Sequence, residues 1–182
     1  MKNWFNRQIN RISEIEDDRE REKQSKILDQ IINNVHTINN LEIDQKRNEK
    51  IDYVKSRGVE ITKINQSIQA IKGKWIAKFA ANVAHNIKQE IDLESYLWHI
   101  FSFEIVVASC KKTAKRKFDQ KEKDGVFLFY QFGNDVFFVK NAGSLKATDF
   151  DLEDDIYVVD EKFQWTYVKT HELQCGPYFY EL

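Results

Sequence analysis

No glycine and no proline occurs in the first 57 residues of this 182-residue chain. A stretch so free of turn-formers, and rich in Glu, Lys, Arg, Gln and Ile, has few options other than helix. Phe5, Ile9, Ile12 and Ile15 recur at helical spacing, as do Ile27, Ile31, Val35 and Ile38 beside Leu28 and Ile32. Between the two runs lies Glu16–Lys26, which is almost entirely charged. The pattern fits one long helix or two helices folded as a hairpin. The heptad does not persist past Leu41, so an extended coiled coil is not expected. A stripe this narrow needs a surface: the rest of the chain, a second copy or a partner. Trp4 and Phe5 invite comparison with a membrane-surface helix, but acidic Glu16, Asp17 and Asp18 follow at once and argue against anionic lipid.

Gly58 is the first glycine and a natural helix stop, so the boundary is placed there, between a helical arm (1–57) and a globular domain (58–182). Val59–Thr62 alternates like a short strand. Ser67 is placed to cap a helix through about Asn86, with Ile68, Ile71, Trp75, Ile76, Phe79 and Val83 on one face. Leu97–Val107 is aromatic and β-branched and reads as a buried strand. Ser109 would cap a helix over 110–120, on which Cys110, Ala114 and Phe118 share a face, so Cys110 is expected to be buried. Val126–Phe132 and Asp135–Lys140 flank Gly133-Asn134, the signal of a two-residue hairpin turn. Asp155–Asp160 and Trp165–Thr170 form a second hairpin across Glu161–Gln164. The expected class is α+β: a mainly antiparallel sheet of two hairpins plus additional strands, with helices on one face.

Net charge is −1, which disfavours strong global attraction to nucleic acid or anionic membrane. Residues 125–182, however, hold four basic side chains against ten acidic ones, so a basic partner is the better expectation. Two cysteines make no disulfide framework and fit no zinc spacing. No apolar run resembles a leader or a membrane span, so a cytoplasmic location is expected. Dinucleotide, phosphate-loop, HExxH and GxSxG signatures are absent, and glycine, at six, is too scarce for nucleotide-cradling loops.

The densest cluster of rare residue types is Trp165–Tyr180, with the only proline, one cysteine and one histidine. His171 can bind a metal or carry protons, Cys175 can be a nucleophile or soft ligand, and Glu172 can orient them. His171, Cys175 and Glu172 make a catalytic candidate, and His99, His171 and Cys175 a three-ligand metal candidate. The bland reading has Gly176-Pro177 turning the chain so that Tyr178 and Phe179 close the sheet, and no cofactor is expected. Partner-binding candidates are Asp149, Asp151, Glu153, Asp154 and Asp155, with Trp165 and Tyr178. Lys111, Lys112, Lys115, Arg116 and Lys117 form a basic helix face with too little aromatic interleaving for nucleic acid to be expected.

Leu97–Glu104, Phe127–Gln131, Ile156–Asp160, Phe163–Val168, Thr170-His171-Glu172 and Cys175–Phe179 occur in an order that resembles a bacterial family of unknown function, domain of unknown function 4275. The resemblance covers about residues 59–182 and implies a bacterial, cytoplasmic, single-domain protein with no assigned activity. The leading expectation is a non-enzymatic protein-binding module, immunity- or antitoxin-like. The alternatives are a small metal- or Cys/His-dependent hydrolase and self-assembly through the arm as a homo-oligomer.

Overall fold

The computed structural model describes residues 2–182. It divides into two compact units, one ending at Glu49 and one running from Lys50 to Leu182. The first is a helical hairpin of α1 (Lys2–Ser13) and most of α2 (Asp18–Ser56), so of the two readings left open the hairpin is the one that forms. The turn is held by local polar bonds. Asp17 accepts the Glu20 N–H at 2.8 Å, as a helix cap does, and the Arg21 guanidinium donates to the Ile15 carbonyl at 2.9 Å. Leu28 is buried, and Ile9 and Ile12 line grooves beside it. Farther along α2, Ile38 and Leu41 are exposed.

α2 runs to Ser56, and Gly58, at φ 84°, turns the chain into β1 (Glu60–Ile64). The last turns of α2 belong to the second unit, which begins at Lys50. There, Val54 is buried and the Arg57 guanidinium pairs with Asp149. The remaining α-helices and strands are α3 (Ile68–Phe79), α4 (His85–Glu90), α5 (His99–Ser102), β2 (Ser109–Cys110), α6 (Lys111–Gln120), β3 (Val126–Tyr130), β4 (Val136–Lys140), β5 (Ile156–Asp160), β6 (Trp165–Lys169) and β7 (Tyr178–Glu181). The seven strands form one antiparallel sheet in the order β1-β4-β3-β5-β6-β7-β2. The α+β class and both hairpins are therefore present, with β1 added outside β4 and β7 outside β6.

Strand alternation sends successive side chains to opposite faces, and β5 feeds two cores. Tyr157 and Val159 join the α3–α5 side, with Trp75, Phe79, Leu97, Trp98 and Phe101. Ile156 and Val158 join the other, with Ala114 and Phe118 of α6 and Phe150. The expectation of helices on one face is thus corrected: α6 covers the second face, because a sheet apolar on both sides needs cover on both. Trp75 anchors the first core, its indole N–H donating to Thr166 Oγ1 at 3.0 Å. Phe118 anchors the second, 4.5 Å from the Tyr167 ring centroid.

Four local expectations are corrected. Leu97–Val107 is not a strand; Leu97, Trp98, Ile100 and Phe101 are buried at helical spacing around α5. α3 stops at Phe79, and residues 80–84 form a turn before α4. Cys110 is exposed, because it is the extended residue preceding α6 and its side chain leaves the face that buries Ala114 and Phe118. The β3–β4 connection spans Gln131–Asp135, not two residues. Gln131 gives its N–H to the Asp155 carbonyl on the β5 side, at 2.9 Å, so the loop opens one step early.

Candidate functional site

Asp155 lies just before β5 with φ 49°, a left-handed conformation that Asp tolerates better than most residues. It is buried at 7% exposure, and its carboxylate is fully employed. It accepts the Trp98 indole N–H at 2.9 Å and the His171 backbone N–H at 3.2 Å. His171 Nδ1 lies 2.8 and 3.0 Å from its two oxygens. A carboxylate only accepts, so Nδ1 carries the proton and Nε2 points away from Asp155. Behind this lies a second knot. Tyr157 donates its hydroxyl to Gln131 Oε1 at 2.7 Å and accepts the Trp98 N–H at 3.2 Å. Gln131 also takes the Leu97 N–H at 3.2 Å and donates to the Glu94 carbonyl at 3.3 Å. Burial raises the Tyr157 hydroxyl well above its ordinary pKa, keeping it a donor.

These bonds hold a strip of rings that is open to solvent. Tyr96 is its centre, with ring centroids 5.3 Å from Phe132, 5.2 Å from His99 and 5.2 Å from His171. His99 continues to Phe103 at 5.4 Å. Trp98 lies beneath, 4.7 Å from His99 and 5.9 Å from His171. His99 Nδ1 is 2.5 Å from the Ile91 carbonyl and therefore donates to it, which fixes that ring as well. Phe132 is 71% exposed, Phe103 56% and the His171 side chain 38%. Leu173, two residues past His171, is almost wholly exposed.

An imidazole oriented by a buried carboxylate is the arrangement of a general base, which then needs a nucleophile near Nε2. Nε2 lies 3.9 Å from the Glu172 carboxylate. The Cys175 thiol interacts with that same Glu172 and with Tyr178, and burial together with Glu172 raises its pKa. It is thus held as a thiol. Burial, with Cys175, also pushes Tyr178 up to about 12. The Thr170 hydroxyl donates to the Cys175 carbonyl, and Gly176, at φ 81°, leads through a cis peptide into Pro177 and β7. The structure brings His99 and His171 to the same ring strip, and it commits Cys175 to the turn. Among the described residues, no group of three or more His, Cys, Asp or Glu side chains is placed to hold a metal ion.

The acidic run is a set of clips. Asp149 is buried against Arg57 and accepts the Lys146 N–H at 2.8 Å. Asp151 pairs with Lys115 at 2.6 Å, Glu153 accepts the Tyr130 hydroxyl at 3.0 Å, and Asp154 pairs with Lys169 at 3.1 Å. Trp165 and Tyr178 lie in the core. On α6, Lys111, Lys112, Arg116 and Lys117 are exposed. Lys123, just beyond the helix, is buried, donating to the Phe118 and Lys121 carbonyls at 2.7 and 2.9 Å. Tyr96, Trp98, Phe103, Gln131 and Phe132 did not stand out as site residues in the sequence. The one available signal was Phe132, an aromatic at a hairpin tip where a polar residue is usual.

No helix among the described residues is long and apolar enough to cross a membrane. Neither the curated proteins nor the solved structures contain a match to this chain. A family model, domain of unknown function (DUF4275), matches residues 48–179, which include the whole sheet except the last residues of β7 and every residue of the ring strip. The chain belongs to that family.

Proposed function

We propose that this protein is a non-enzymatic protein-binding module of the immunity or antitoxin kind, and that it docks its partner on the ring strip of Tyr96, His99, Phe103, Phe132 and His171. One observation carries the reading. Phe132 and Phe103, each more than half exposed, lie in one strip of rings with Tyr96, His99 and His171, while the polar groups beneath them are consumed in holding them in place. Aromatic side chains presented rigidly at low entropic cost are what binding hot spots are made of. Phe103→Ala with Phe132→Ala removes the strip's two most exposed rings without touching the core. The tagged protein, purified gently from its host, is expected to carry one protein at one-to-one stoichiometry. The double variant should lose that protein, and Lys112→Ala with Lys117→Ala should keep it. Expressed alone, the partner should arrest growth. Absence of a stoichiometric partner, or its retention by the double variant, refutes the reading.

Two other readings each rest on one feature. The Asp155–His171 bond favours a hydrolytic base, testable as an ester-cleaving activity abolished by His171→Ala. Exposed Ile38 and Leu41 on α2 favour self-association, testable by light scattering with both changed to Gln.

A further inference from the structure

We propose that the strip recognises an arginine-bearing basic segment of its protein partner, the guanidinium lying on the exposed ring faces within a border of carboxylates. This rests on the docking reading above and names the chemistry of what docks.

The first support is charge. The strip lies within residues 89–110, 131–135 and 170–176, which together hold Glu90, Asp92, Glu94, Glu104, Asp135 and Glu172 but no lysine or arginine. The chain has 28 such basic residues, and at its mean density about five would fall in these segments. Glu90, Asp92, Glu94, Glu104 and Glu172 are exposed. Exposed Lys111 follows these segments directly and acts on the Cys175 thiol, and Lys169 pairs with Asp154 at 3.1 Å. Lys72 donates to the Gln131 carbonyl, and Lys63 pairs with Asp135 at 2.8 Å. Lys88 lines a groove shared with Asp92 and Glu94. A polyanion such as nucleic acid meets repulsion here, whereas a cationic segment is steered in.

The second support is ring geometry. Phe132 meets Tyr96 at an interplanar angle of 86°, and Phe103 meets His99 at 76°. An edge-to-face contact covers one face of one ring of the pair, so these two well-exposed rings keep open faces, and the face is the negative end of the quadrupole. The protein already pairs cations with rings elsewhere, with Lys74 4.3 Å from the Phe163 centroid and Arg57 4.8 Å from that of Tyr53. At the strip the rings and carboxylates are present and the cation is left to the partner. Arginine fits better than lysine, because its planar, weakly hydrated guanidinium stacks on rings and bridges to carboxylates at the same time.

The test is a nitrogen-15 NMR titration of the full chain with three nonapeptides: three Arg-Gly-Ser repeats, the same with lysine, and the same with citrulline, which keeps the shape and removes the charge. The arginine peptide is expected to shift amides of residues 94–105, 131–135 and 171–174, with a Kd below about 1 mM. Lysine should bind at least about threefold more weakly, and citrulline should not bind. Phe132→Ala and Phe103→Ala should each weaken the arginine peptide by about threefold or more, Glu172→Gln should weaken it, and Lys112→Ala should leave it unchanged. Equal binding of the citrulline peptide, shifts centred elsewhere, or no shifts at all overturn the inference. If the peptides fail but capture of the partner still depends on Phe103 and Phe132, the arginine assignment falls and the docking reading stands. If capture ignores both rings, the docking reading falls first.

Discussion

Two buried tyrosines on adjacent strands make a controlled experiment. Tyr157 on β5 and Tyr167 on β6 are both fully buried, and Tyr167 faces Val158, the residue after Tyr157, in the strand register. Their hydroxyls differ. Tyr157 donates to Gln131 Oε1 at 2.7 Å and accepts the Trp98 N–H at 3.2 Å, whereas the Tyr167 hydroxyl has no hydrogen-bond partner among the described residues. Phenylalanine at 157 leaves one buried N–H unpaired and a buried amide short of a donor, at about 1–3 kcal/mol for the first and somewhat less for the second. A total loss of about 2–3 kcal/mol is expected. Phenylalanine at 167 removes a polar atom that was desolvated without compensation, so stability should stay level or rise by about 1 kcal/mol. Urea unfolding of both variants, with slopes matching the parent, measures the difference directly. Equal losses, or a larger loss at 167, would refute the hydrogen-bond reasoning. If Tyr157→Phe also shifts the amides of Tyr96 and Phe132, the network braces the strip as described.

Asp155→Ala should cost about 3–5 kcal/mol, because it strands the Trp98 indole and both His171 groups; Asp155→Asn, which tolerates φ 49°, should cost clearly less, and equal costs would deny the carboxylate its role. Burial, then Lys146, lowers Lys123 to about 8 from 10.5, so between those values the unfolded chain holds more protons and stability rises with pH. Against Lys123→Met, the parent should gain up to about 3 kcal/mol from pH 7 to 10.5; a constant gap would refute a desolvated ammonium. Iodoacetamide at pH 8 should label exposed Cys110 well before Cys175, whose thiol is raised and half-buried, and peptide mapping that shows equal rates would contradict the turn geometry.

Much of the scaffold was legible along the chain. The β5–β6 hairpin, β1, α6 and the stop at Gly58 follow from patterns that a few neighbouring residues carry. Leu97–Val107 was misread because a short apolar run has the same composition as strand and as buried helical turn. The β3–β4 turn was misread because Gln131 answers to Asp155 across the sheet rather than to its own Gly133-Asn134. At the site, His171 and His99 drew notice through their chemistry. Asp155 stood out only as one of an acidic run, and Tyr96 and Phe132 not at all, since nothing local to residues 96, 132, 155 and 171 marks them as neighbours.

By itself the sequence determined the class, the helical arm, the two hairpins, the family and the acidic bias of the C-terminal third. Those properties reside in periodicity, turn chemistry and composition, which act over a few residues. Only the tertiary structure decided that the acidic run becomes a set of clips, that Cys175 belongs to a turn, and that five rings from three distant segments meet at one surface. These depend on strand register and on which segment covers which face, and both are settled by contacts between residues far apart in the chain.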